Sequence, residues 1–154
     1  VIDTPHIIQT EEQHTVFIPL KIPRAEIRTV MGPGLADLRH EVAAQGIAIT
    51  GPWFTHHLRM SPAFFDFELS VPVASPVTPA GRMKPGVRPA MKMAHTVYEG
   101  PYEGLGGAWK EFDRWIGAEG ITTGPDLWEC YARGPESGPD SSRYRTELSV
   151  QILD

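Results

Sequence analysis

Cysteine is nearly absent from this chain: Cys130 is the only one in 154 residues. No intramolecular disulfide framework is then possible, and a reducing compartment, the cytoplasm, is the simpler expectation. Lys and Arg never stand side by side, and 14 of them face 19 Asp and Glu, a formal net charge of −5. That balance lacks the electrostatic footprint of a nucleic-acid or anionic-membrane binder. A neutral or cationic small molecule suits it better than a phosphate. Apolar runs near the ~20 residues that span a bilayer are missing. The opening VIDTPHIIQT also lacks the basic-then-apolar order of a signal peptide.

Spacings that would announce a reactive centre are missing as well. Six histidines form no HExxH, His-x-His or Cys/His cluster, and the adjacent His56 and His57 would point to opposite faces of a strand. No metal and no cofactor are expected. There is no G-x-S-x-G elbow, and the GLGG of residues 104–107 has neither the Lys-Ser/Thr of a phosphate loop nor a dinucleotide fingerprint. Cys130 reads as a small core residue.

What is present is punctuation and repetition. Fifteen Pro and fifteen Gly divide the chain, and the densest cluster, Ala74 to Pro89, has no helical or alternating period. It reads as a linker or a long surface loop between repeat one, about residues 10–73, and repeat two, about 90–154. GPGLADLRHEVAAQG (Gly32 to Gly46) aligns with GGAWKEFDRWIGAEG (Gly106 to Gly120), both closing on a Gly suited to a helix C-cap. Leu35, Leu38 and Val42 fall over Trp109, Phe112 and Ile116, one apolar helical stripe in each half. With one residue lost, GPWFTHHLRM from Gly51 lies over GPDLWECYAR from Gly124, and FDFELSVPV from Phe65 over YRTELSVQI from Tyr144.

Each half therefore reads strand, helix, strand, strand, with HTVFIPLKIP and MKMAHTVYEG as the first strands. Neither half is large enough to close a core alone. The expected fold is α+β: a duplicated strand-helix-strand-strand module forming one twisted antiparallel sheet, two helices on one face and a ligand groove on the other.

Alternation along the strands then places the polar residues. In the last strand Leu148, Val150 and Ile152 form the apolar set, leaving Glu147, Ser149 and Gln151 opposite. In the strand before it, Trp128, Cys130 and Ala132 read as the apolar set, so Glu129, Tyr131 and Arg133 share the other side. Glu129 and Glu147 would thus converge on the helix-free face, with Arg143 and Arg145 near enough to neutralise Glu147. The first half offers Glu68, Asp66 and Ser70, with Phe54, His56 and Leu58, on the same face. Parity leaves open whether these carboxylates line a site or simply face water.

HTVYEGPYEG (His95 to Gly104), A-W-x-x-F-x-x-W from Ala108, GPDLWECY from Gly124 and RTEL from Arg145 together resemble the GyrI-like small-molecule-binding domain. This is the effector-binding superfamily of AraC-type and MerR-type bacterial regulators. PRAEI from Pro23, AAQGI from Ala43, GPWF from Gly51 and FDFEL from Phe65 extend the resemblance over nearly the whole chain. It implies a duplicated module and a pocket, at the junction of the repeats, for hydrophobic, often cationic or polycyclic compounds, as in multidrug recognition and drug resistance. It also implies a binding carboxylate on the last strand, Glu147, and supporting roles for Tyr102, Trp128, Glu129 and Tyr131. Tyr98 and Tyr102 are expected at the pocket rim, with Gly106 and Gly107 allowing close approach of the helix start; alternatively Tyr102 only staples the helix. Trp109, mostly core, could reach the ligand.

The strand after Gly51 departs from the family, reading Thr-His-His-Leu where a more polar ending is common. No DNA-binding helix-turn-helix precedes the first helix, so a stand-alone binding protein that senses or sequesters its ligand is expected. Two alternatives stay open. Some family members hydrolyse strained cyclopropane rings, for which Glu129 and Glu147 would serve as acid and base. The other is an inhibitor that binds a macromolecular target such as gyrase, as the family name suggests.

Overall fold

The computed structural model describes residues 2–23, 26–60, 64–134 and 138–153. Its strands are β1 (His6–Gln9), β2 (Gln13–Pro23), β3 (Phe54–Met60), β4 (Phe64–Pro72), β5 (Lys84–Arg88), β6 (Lys92–Glu99), β7 (Thr123–Arg133) and β8 (Arg145–Ile152). Its helices are α1 (Ile27–Ala44) and α2 (Leu105–Ala118). The expected α+β class is the observed one, with antiparallel pairing throughout the described ladders. The chain divides into two compact units: residues 11–90, and residues 91 onward together with the first ten.

In the first unit the strands lie in the order β3-β4-β2-β5. Val16, Ile18, Phe67, Leu69 and Val71 alternate onto one face, and Leu35, Leu38 and Val42 of α1 close over them, all buried. Burying one such Leu, Ile or Phe contributes about 2 kcal/mol, so the three-then-four stripe is what fixes the helix to the sheet. The helix begins earlier than Gly32 and runs through Pro33, which is exposed. Arg24 and Ala25 of the PRAEI stretch lie outside the described residues.

The second unit repeats this plan in the order β7-β8-β6-β1. Ala94, Leu148, Val150 and Ile152 meet Ala108, Phe112 and Ile116 of α2, with Trp109, Trp115 and Leu127 packed around them. Both helices end alike. Gly46 at φ 70° and Gly120 at φ 67° take the left-handed conformation that closes a helix C-terminus. Ile47 N–H donates to Val42 O at 3.1 Å and Ile121 N–H to Ile116 O at 3.2 Å, completing the same capping motif twice.

The stretch Ala74 to Pro89 is not a linker. Val77 and Met83 are buried in the first core, and residues 84–88 form β5, an edge strand on β2. Pro85 is tolerated there because an edge strand has one unpaired side. Likewise β1 pairs with β6 as the edge of the second unit, so each strand-helix-strand-strand module carries one extra edge strand.

The Gly-Pro-Tyr turn is built around Tyr98. Its ring lies in the second core, 6% exposed, and its hydroxyl donates to Pro101 O at 2.9 Å. Tyr98 is therefore a core residue and not a rim residue. A Cβ at Gly104 would overlap that hydroxyl, whereas one at Gly106 or Gly107 would meet nothing within 4 Å. Close approach falls on Gly104, not on the two glycines of the helix start. Opposite outcomes follow: Gly104→Ala should lower the melting temperature, by about 2 kcal/mol or more of stability from overpacking. Gly106→Ala, in an open first helical turn, should raise stability by about 0.5–1 kcal/mol. Thermal unfolding of the two single variants against the parent chain checks both signs.

Candidate functional site

Cross-strand partners share a sheet face, so the β7–β8 register decides where the carboxylates look. Leu127 lies opposite Val150, Glu129 opposite Leu148 and Tyr131 opposite Thr146, which places all three β7 residues on the face that α2 covers. Trp128 opposite Ser149 and Cys130 opposite Glu147 take the helix-free face. Glu129 and Glu147 are therefore on opposite faces of the sheet and do not converge. The expected parity of β7 is reversed, and Cys130 is not helix-facing.

The reversal comes from taking Trp128, Cys130 and Ala132 as the helix-facing set, because Trp128 is buried on the helix-free face. Aligning Gly51-Pro52 with Gly124-Pro125 is also one residue out of step with the ladders, and a one-residue slip exchanges faces. Thr55 lies opposite Leu69 just as Glu129 lies opposite Leu148. The first-half counterpart of Glu129 is therefore Thr55, and that of Tyr131 is His57.

Around Glu129 the second unit assembles a carboxylate–aromatic cluster. Trp109 Nε1 donates to Glu129 Oε2 at 2.6 Å, and the Tyr131 hydroxyl donates to Glu129 Oε1 at 2.6 Å. Tyr131 is buried and Glu129, Trp109 and Tyr102 are half-buried. The Tyr102 ring stands edge-on to Tyr131 at 5.8 Å between centroids and tilts against Tyr144 at 5.2 Å. Helix α2 supplies Trp109, the turn before it Tyr102, β7 the Glu129/Tyr131 pair, and the approach to β8 Tyr144. Each Glu129 oxygen accepts one neutral donor and keeps a further lone-pair site, so the negative charge is ordered but not cancelled.

Tyr144 was missed by the sequence reading. Its signal was available, because it fills the place of Phe65 in the aligned YRTELSVQI and FDFELSVPV strands.

Glu147 has a different setting. It accepts from His95 Nε2 at 2.9 Å on the helix-free face, and the His95 ring stands edge-on to His6 at 5.2 Å. Arg145 pairs with Glu99 and Arg143 with Asp140, and not with Glu147 as expected. In the first unit His56 Nδ1 donates to Glu68 Oε1 at 3.2 Å, with Phe54 and Ser70 on the same helix-free face as expected. A separate cleft of about 360 Å³ lies between α1 and the segment before β5. It is lined by Asp37, His40, Glu41, Arg82 and apolar neighbours, with no aromatic carbocycle. No group of three or more metal-ligating side chains occurs among the described residues. No described helix is long and apolar enough to cross a membrane.

Two antiparallel modules, each with one helix over a sheet and one of them holding a carboxylate among aromatic rings, define a small-molecule-binding class of domain. The chain belongs to the GyrI-like small molecule binding domain family, whose model matches residues 3–153. In three dimensions it is similar to the C-terminal domain of EcmrR, at 19% identity and a TM-score of 0.88, over 100% of this chain and 99% of that one. Matched to EcmrR in its DNA complex, the chain covers 57% of the longer protein at 98% of its own length (19% identity, TM-score 0.86). A hydrolase from Listeria innocua is similar at 11% identity and a TM-score of 0.70, covering 97% and 91% of the two chains. So is SAV2435 bound to tetraphenylphosphonium, at 13% identity and 0.66, covering 98% and 94%. No curated protein matches in sequence.

The two hydrogen bonds to Glu129 make a stability prediction. Tyr131→Phe removes one donor from a half-buried carboxylate and should cost about 1–2 kcal/mol in chemical denaturation. Glu147→Gln, a partly exposed position, should change stability by less than about 0.5 kcal/mol.

Proposed function

We propose that the chain senses or sequesters hydrophobic, cationic or polycyclic compounds, and that it takes them at the Glu129 cluster of its second half. The observation that carries this reading is a single carboxylate held at 2.6 Å by both Trp109 and Tyr131, with Tyr102 edge-on to Tyr131 and tilted against Tyr144. A carboxylate of that kind supplies a charge for a cation, while the ring faces add cation–π attraction and accept flat bodies of many shapes. The binding of tetraphenylphosphonium by SAV2435, a protein of the same fold, supports the ligand class.

Glu129 replaces Glu147 as the cation-recognising carboxylate in this reading, because the rings surround the former and a histidine engages the latter. Glu129 and Glu147 cannot act together as an acid–base pair, since a substrate cannot meet both faces of one sheet at once. Regulation of transcription would follow if ligand occupancy were relayed to a DNA-binding partner, as the complex of EcmrR with DNA suggests by analogy.

Titration of the protein with tetraphenylphosphonium, followed by calorimetry and by quenching of Trp fluorescence, tests the proposal. Glu129→Gln should weaken binding about tenfold or more and Glu147→Gln by less than about twofold, a difference exceeding 1 kcal/mol. Unchanged affinity in Glu129→Gln would remove this site from consideration.

A further inference from the structure

The helix-free face of the first unit holds a cation with no anion. Arg88 at the end of β5 reaches across the sheet until its guanidinium carbon lies 5.5 Å from the Phe54 ring centroid. Its Nε is buried and meets no acceptor, and Arg88 forms no ion pair, among the described residues. The acidic residues of that face are otherwise placed: Glu68 accepts from His56, and Asp66 lies opposite Lys21. An undonated guanidinium N–H in a buried position is costly, and in a native protein such a group calls for a partner or a functional role.

Two neutral hydroxyls share that face: Thr15 is 6% and Ser70 3% exposed. Thr15 lies opposite Gly86, the neighbour two residues before Arg88 on the same face of β5, and Ser70 lies opposite both Phe17 and Phe54. A Cβ at Gly86 would come within 2.8 Å of the Thr15 hydroxyl and 3.0 Å of the Phe17 ring. Glycine at this position therefore leaves the hydroxyl uncovered. Lys84, opposite Phe17, adds a second positive charge to the same face.

We propose that Arg88, Thr15 and Ser70, walled by Phe54 and Phe17, form an anion subsite for an organic carboxylate carried on a flat apolar body. The planar guanidinium fork matches a carboxylate, the hydroxyls donate to its remaining lone pairs, and the rings accept the body. The subsite lies wholly within the first unit and does not depend on the Glu129 reading.

The test uses 2-naphthoate as probe, with 2-naphthalenemethanol and inorganic phosphate as controls at constant ionic strength, read by calorimetry and thermal shift. The parent chain should bind 2-naphthoate saturably, and both Arg88→Met and Gly86→Ala should weaken it about tenfold or more. Arg88→Lys, which keeps the charge and loses the fork, should fall between and serves as the folded comparison should Arg88→Met unfold. Tetraphenylphosphonium binding should be unaffected in Arg88→Lys, which separates this subsite from the Glu129 cluster. Equal 2-naphthoate affinity in parent and Arg88 variants, or no saturable binding, would overturn the inference. Equally tight binding of the alcohol would reduce the site to an apolar patch, and equally tight phosphate would remove the apolar body from the recognition; either overturns the proposed ligand class.

Discussion

A carboxylate placed beneath a helix must be given donors, and that requirement organises the second half of the chain. Glu129 occupies a strand position whose cross-strand neighbour, Leu148, is fully buried. Leaving an ionised group there unsatisfied costs more than any single packing contact returns. Only donors that reach under α2 can meet it: an indole N–H from the first turns of the helix and a phenol two residues along the same strand. Tyr131 in turn carries Tyr102, and Tyr102 carries Tyr144, so the turn before α2 and the entry to β8 are positioned by the same charge. Tyr98 fixes that turn from below through Pro101.

The first half shows what the module does without the charge. Thr55 and His57 fill the places of Glu129 and Tyr131, sharing a hydrogen bond at 3.0 Å, and His57 stacks on Phe67 at 5.2 Å. Above them the aligned helix position is Leu35 where the second half has Trp109. The polar demand in the first half is small and local, and an apolar helix face can cover it. Duplication supplied one frame, and a change at three aligned positions separates a closed core from a charged aromatic cluster.

Features decided within one helical turn were readable from sequence. The stripes of α1 and α2 and their glycine caps depend on spacing and on one backbone conformation, and both appear where expected. Facing is different, because a buried apolar side chain can lie on either side of a sheet. Trp128 is buried on the helix-free face, so its apolar character pointed to the wrong side and exchanged the faces of Glu129 and Cys130. Composition misled at Ala74 to Pro89 for a related reason: proline marks a loop only where a strand must pair on both sides, and β5 pairs on one. The four residues of β1 were too few to show alternation.

The contrast between Glu129 and Glu147 bears on how a charged ligand is selected. Trp109 and Tyr131 are neutral donors, so they hold the Glu129 carboxylate in place while leaving its field intact. The desolvation of that charge is met during folding and need not be met again at binding, which is the advantage of preorganisation. A neutral apolar ligand covering Glu129 would strip its remaining water and return no charge, whereas a cation would return both charge and ring contact. Discrimination then comes from the penalty on the wrong ligand as much as from attraction to the right one. His95 holds Glu147 differently, from the helix-free face, away from the rings of Tyr102, Tyr131 and Tyr144 that gather at Glu129.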